Sequence, residues 1–171
     1  TYTSALGFGG GAPDAVAVNE SWNGSSWTEV NDLNTARVYV NGCGLQTAAL
    51  AVGNAPNSGI TEDFDGTSFT EKADLNTGRS NAMGGGGSST LALNSGGYTN
   101  PPGTVTKTES YDGTSWTEQA DLANAVYVQG TGSNASTTAQ ISFYGARPGE
   151  TAASEEWNVP TALKTLASTN A

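Results

Sequence analysis

One stretch, Thr108-Glu-Ser-Tyr-Asp-Gly-Thr-Ser-Trp-Thr-Glu118, returns in recognisable copies along the chain, and this repetition constrains the fold more than any other feature. Upstream stand Asn19-Glu-Ser-Trp-Asn-Gly-Ser-Ser-Trp-Thr-Glu29 and Thr61-Glu-Asp-Phe-Asp-Gly-Thr-Ser-Phe-Thr-Glu71, and downstream a decayed copy, Ser154-Glu-Glu-Trp157. The glutamates Glu20, Glu62, Glu109 and Glu155 are 42, 47 and 46 residues apart. That period belongs to propeller blades of short strands rather than to helical repeats.

Each copy reads as a β-hairpin. A short strand ends in an aromatic residue (Trp22, Phe64, Tyr111), Asn-Gly or Asp-Gly turns the chain, and a second strand begins at another aromatic (Trp27, Phe69, Trp116). Glycine, Asn and Asp tolerate the positive φ angles of a type I′ turn, which is the expectation here. The paired aromatics are expected to pack across the hairpin and to form a repeated core.

Composition supports the same class. Gly numbers 23 and only 13% of residues are charged, with Thr, Ser and Asn abundant. Such a chain favours strands and turns, and no window carries the apolar spacing of a helix. At 171 residues it suffices for a single domain, residues 1–171, with a real core.

Each repeat divides into four strands: glycine-rich inner, apolar second, Glu-x-aromatic third and aromatic-Thr-Glu outer. The second strands are Ser4 to Phe8, Thr47-Ala-Ala-Leu-Ala-Val-Gly53, Ser89-Thr-Leu-Ala-Leu93 and Ala139-Gln-Ile-Ser-Phe-Tyr-Gly145, expected to be buried on both faces. Linkers Asp32-Leu-Asn-Thr-Ala-Arg37, Asp74-Leu-Asn-Thr-Gly-Arg79 and Asp121-Leu-Ala-Asn-Ala125 lead into the inner strands, where glycine permits close backbone approach. Gly84 to Gly87 is such a strand and not a phosphate loop, because no Lys-Ser/Thr follows it.

The repeats span approximately 1–35, 36–77, 78–123 and 124–171, with Pro160 to Ala167 as the last outer strand. The expectation is an all-β propeller of about four four-stranded blades, about fifteen strands in all, with the first blade lacking its inner strand. An open strand edge invites pairing. The missing strand is expected from upstream sequence, from the C-terminal tail or from a neighbouring subunit, with upstream sequence preferred. The start, Thr1-Tyr-Thr-Ser, is neither a methionine nor a signal peptide, so the chain reads as a processed or trimmed piece of something longer.

With these hairpins, the Asp-Leu that follows each and the Gly-Gly-terminated strand Leu6-Gly-Phe-Gly-Gly10, the chain resembles kelch-type β-propeller repeats. It looks most like arrays in tail-fibre and other virion proteins of aquatic bacteriophages and in secreted bacterial proteins. The double glycine persists at Gly96-Gly97 but is single at Gly53 and Gly145, and the spacing of aromatics is tighter than in the common family. The resemblance implies an extracellular interaction or structural protein on a virion or cell surface. It implies host glycans, or other surface proteins and further copies of itself, as partners.

Sixteen acidic and six basic residues give a formal charge of −10, which repels phosphate backbones and anionic lipid and serves solubility. Nucleic acid is not an expected partner, and no apolar run is long enough to insert into a membrane as a helix. There is no histidine, which removes the commonest general base and the imidazole ligands of copper, zinc and iron sites. The acids recur in step with the repeat, whereas one catalytic centre has no reason to be copied around a ring, so no enzyme activity is expected. No cofactor is assigned; calcium suits the available oxygen ligands best, with Asp63, Asp65 and Gly66 the densest cluster, but turn formation explains these aspartates better. Cys43 stands alone between Gly42 and Gly44 and is expected to be small and buried in a crowded strand.

The polar loops Asn54-Ala-Pro-Asn-Ser58 and Gly96-Gly-Tyr-Thr-Asn-Pro-Pro102 are the expected contact surface, since loops carry ligand contacts more often than strands. Tyr98, positioned to stack on a sugar, and Asn100 are the candidate ligand-binding residues. A purely structural assembly subunit, joined through its open blade edge, is the alternative. Sequons at Asn19, Asn23 and Asn134 permit glycosylation.

Overall fold

Short apolar runs separated by Asx-Gly turns form antiparallel strands throughout. The computed structural model describes residues 3–11, 14–127, 130–133, 139–143, 154–158 and 164–166. Among them are seventeen strands and no helix.

The first sheet joins β1 (Ala5–Phe8), β2 (Asn19–Trp22) and β3 (Trp27–Val30) in the order β1-β2-β3. The second joins β4 (Asn41–Leu45), β5 (Ala48–Asn54), β6 (Ser58–Phe64) and β7 (Phe69–Lys72) in chain order. In the third, β8 (Met83–Ser88) and β9 (Leu91–Ser95) are separated from their partners by a small ribbon, β10 (Tyr98–Thr99) with β11 (Gly103–Thr104). The sheet then continues with β12 (Thr108–Tyr111) and β13 (Trp116–Glu118). The inserted ribbon accounts for the longer spacing between Glu62 and Glu109. The fourth sheet runs β14 (Gly130–Ser133), β15 (Ala139–Phe143), β16 (Ser154–Asn158) and β17 (Lys164–Leu166). Strands β4, β8 and β14 adjoin one another across sheets, so the glycine-rich strands are the inner ones.

The register places the hairpin aromatics opposite each other: Trp22 with Trp27, Phe64 with Phe69, Tyr111 with Trp116. Their rings lie 5.5, 4.9 and 5.0 Å apart at interplanar angles of 42°, 41° and 37°, so one geometry is used three times. The turn between them is not type I′. Positive φ falls on Gly24, Gly66 and Gly113 alone, and the residue before each glycine uses its side chain as an acceptor instead. Asp112 Oδ1 accepts from the amides of Thr114 and Ser115, Asp65 Oδ1 from those of Thr67 and Ser68, and Asn23 Oδ1 from those of Ser25 and Ser26. These amide bonds hold the Asp65 and Asp112 carboxyls below the usual aspartate pKa.

The core sits between sheets rather than within them. One cluster joins Leu50, Val52 and Leu75 to Ala92, Tyr111 and Trp116, and a second joins Leu33, Ala49 and Ala51 to Phe64 and Phe69, with Phe8 edge-on to Phe69 at 5.8 Å. Strands β5 and β9 are buried on both faces, as expected, but β1 alternates exposed and half-buried. Trp27 also departs from the expected core: it is 49% exposed, whereas Phe69 and Trp116 are each 6% exposed. The difference has a single cause. Phe69 and Trp116 lie against the sheet that precedes theirs, and among the described residues none precedes the first.

Asn19, one of the sequon residues, is fully buried with its Nδ2 donating to the Asn31 carbonyl, so the folded chain offers no glycan acceptor there. Asn23 is exposed. Gly145, Asn134 and Pro160 lie outside the described residues.

Candidate functional site

The linkers between sheets end in a buried ion pair that sequence spacing did not reveal. Glu62 on β6 receives Arg37 from the preceding linker at 2.9 Å, and Glu109 on β12 receives Arg79 at 2.6 Å, with all four side chains buried. The same carboxylates accept the backbone amides and side-chain Nδ2 groups of Asn34 and Asn76, and the amides of Thr35 and Thr77. Asn34 and Asn76 also donate to the Phe69 and Trp116 carbonyls. The Asp that opens each motif caps a strand: Asp32 accepts from the Asn19 amide and Asp74 from the Thr61 amide. Burial lowers the pKa of both guanidiniums, and the paired carboxylates oppose that shift. These recurring acids are thus engaged in holding one sheet to the next.

The third linker is built differently. Gly97 donates to the Val126 carbonyl as Gly10 donates to that of Arg37, and Val126 donates to Val105 as Arg37 donates to Val16. Val126 therefore occupies the arginine position, fully buried. Tyr127 then corresponds to Val38 and not, as the recurrence of Val-Tyr-Val suggests, to Tyr39.

Where the linkers enter the inner strands, three tyrosines converge. Tyr39 precedes β4, Tyr127 precedes β14, and Tyr98 arrives on the ribbon, its ring edge-on to Tyr127 at 6.0 Å. With Pro56, Asn81 and Asn100 they line an open cleft of about 280 Å³. Ser80 and Tyr98 exchange backbone hydrogen bonds of 3.0 and 2.8 Å, which fixes Tyr98 against the linker. The two loops expected to form a contact surface are clamped together: Asn100 donates its amide to Asn57 Oδ1 at 2.5 Å, and Asn57 Nδ2 donates to the Asn100 carbonyl at 2.7 Å.

Both sequence candidates, Tyr98 and Asn100, thus line one cleft. Tyr39, Asn81 and Tyr127 were missed as part of it, although a tyrosine at a linker's end was visible. Tyr39 is the most informative. It adopts φ of 56° while 59% exposed, and Asn81, in the corresponding position of the next repeat, adopts 50°. The left-handed region is unfavourable for a bulky residue and clusters at functional positions. Every residue lining the cleft is uncharged, although the chain carries −10 overall.

No metal site emerges from the acids. Among the described residues no three His, Cys, Asp or Glu side chains converge, and the Asp65 carboxylate already serves its own turn. No helix is long and apolar enough to cross a membrane among the described residues. Cys43, half-buried against the first cluster, has its thiol pushed up to about 12 by burial.

No family model matches the chain, and no curated protein matches it in sequence. Among solved structures it is similar to the one titled "Structure of YjhT", a β-propeller-like protein, with a TM-score of 0.68 at 10% identity. The match covers 88% of this chain and 52% of the other, so the chain spans about half the length of the structure it matches. At that identity the likeness is one of fold: this is an all-β protein of several antiparallel sheets with a β-propeller-like neighbour.

Proposed function

We propose that the chain is a non-enzymatic interaction module, a kelch-like β-propeller of about four blades, that presents the tyrosine cleft to neutral carbohydrate on a host or cell surface. The observation that carries this reading is Tyr39, an exposed aromatic held at φ of 56° beside Tyr98 and Asn100. Tyrosine offers a rigid apolar face with a polar edge, and asparagine supplies both a donor and an acceptor. An uncharged cleft on an acidic protein suits a neutral ligand better than a phosphate or a carboxylate. Display outside the cell, on a virion or a cell surface, fits a weak site that is copied many times, because multivalency raises avidity by about 10²–10⁴.

The test presents the chain multivalently to a panel of neutral and acidic surface glycans. Saturable binding to neutral glycans, competed by free sugar and lost in Tyr39→Ala and Tyr98→Ala, is expected. Binding unaffected by either substitution overturns the site. A second reading, a structural subunit of a fibre or shell, is favoured by the open edge of β1, and concentration-dependent association in sedimentation is its signature.

A further inference from the structure

The first sheet carries three vacancies that the second and third sheets show filled. Glu20 pairs with Gly7 across β1 and β2 as Glu62 pairs with Ala51 and Glu109 with Asn94, so the three glutamates are equivalent. Glu62 and Glu109 are buried under Asn, Thr and Arg donors, whereas Glu20 is exposed and, among the described residues, its carboxylate has no hydrogen bond or ion pair. Trp27 is equivalent to Phe69 and Trp116, which share their clusters with Leu33 and Leu75 of the preceding linkers. Among the described residues no linker leucine covers Trp27, and with Gly7, Val16, Val18 and Glu20 it lines an open groove of about 550 Å³. Third, β1 lies at a sheet edge, where β5 and β9 pair with β4 and β8.

In both filled cases one continuous segment supplies everything: the Leu, the Asn-Thr-x-Arg donors and then the glycine-rich strand, all within residues 31–45 or 73–88. We infer that this face of the first sheet is a docking surface for one further Asp-Leu-Asn-Thr-x-Arg segment with its inner strand. Its arginine would be buried on Glu20, its leucine would cover Trp27, and its strand would pair with β1. The occupant is another repeat unit and not a second copy of this chain. Both arginine linkers of a copy are already closed on Glu62 and Glu109, and the third linker carries Val126 where the arginine would stand. The inference is independent of the carbohydrate reading of the cleft.

Two experiments test it. A peptide copying residues 31–47, with serine for cysteine, is titrated into the full chain while tryptophan emission and acrylamide quenching are followed, with Trp27→Phe identifying the signal. Saturable protection of Trp27 is expected, weakened at least tenfold by Glu20→Gln or by alanine at the peptide's arginine. In the second, the same segment replaces residues 1–3 as a direct fusion, which removes the demand on affinity. The fused chain should melt several degrees higher, and Glu20→Gln, silent in the original chain, should lower its melting temperature. A fused chain in which Trp27 stays quenchable and Glu20→Gln stays silent overturns the proposal, as does self-association of the original chain that the peptide fails to compete.

Discussion

Arg79 Nη1 donates to Glu109 Oε1 across 2.6 Å with both side chains fully buried, tying the linker after the second sheet to the middle of the third. Removing one member of such a pair leaves the other charge buried and alone, which costs about 3–5 kcal/mol. Arg79→Ala and Glu109→Ala should each destabilise by that order in urea unfolding. The double variant should cost clearly less than their sum, because each change already removes the shared interaction.

Trp116 and Trp27 hold the same hairpin position in different surroundings. Trp116 is buried and its Nε1 donates to Thr61 Oγ1 of the neighbouring sheet at 3.1 Å. Trp116→Ala should cost about 3–5 kcal/mol, as a large buried truncation. Trp27→Ala forfeits its pairing with Trp22 and little else, so its cost should stay below about 1.5 kcal/mol. Parallel thermal melts read the difference.

Tyr39 tests whether the cleft carries backbone strain. A non-glycine residue in the left-handed region costs about 1–2 kcal/mol, and glycine's extra freedom in the unfolded chain gives back about 0.5–1 kcal/mol of that. Tyr39→Gly should therefore leave stability unchanged or raise it by up to about 1.5 kcal/mol, while abolishing binding to any glycan the wild type retains.

Acid sensitivity should trace to the turn aspartates. Asp65 and Asp112 titrate below their unfolded value, so at moderately acidic pH the unfolded chain binds more protons than the folded one. Their contribution is present above the unfolded aspartate pKa and fades as pH falls through the folded one. Asn23 makes the same turn with a neutral amide. Asp65→Asn with Asp112→Asn should thus fold normally and lose melting temperature less steeply below about pH 4.

Cys43, its thiol pushed up to about 12, stays protonated at neutral pH. A disulfide reagent at pH 8 should react with it slowly in the folded chain and at the ordinary rate in denaturant.

The hairpins were legible in the sequence because their information is local: two aromatics and an Asx-Gly turn suffice to place both strands and their register. Turn type was not, since Asp65 and Asp112 act through side-chain acceptors and leave positive φ to the glycine. The Arg37–Glu62 contact joins a linker to a strand 25 residues on, and periodicity gives equivalence rather than proximity. Tyr98 and Asn100 stood out as loop residues, but Tyr39 and Asn81 meet them only after three linkers are stacked. The third linker equals the others in length but starts its Val-Tyr-Val at the arginine position, which disguised Tyr127 by one position, because hydrogen bonding and not residue identity decides which positions correspond.

Each arginine enters its repeat ahead of the glutamate it pairs with, 25 residues before it for Arg37 and 30 for Arg79. Both separations fall short of the repeat period of 42 to 47 residues. An unequal crossover that inserts a whole period drawn from residues 20–109 therefore brings in one arginine and one glutamate. The lengthened array keeps every interior charge matched, and the mismatch is passed along to the ends. A gene built this way can gain or lose units in a single event without first evolving a new joint.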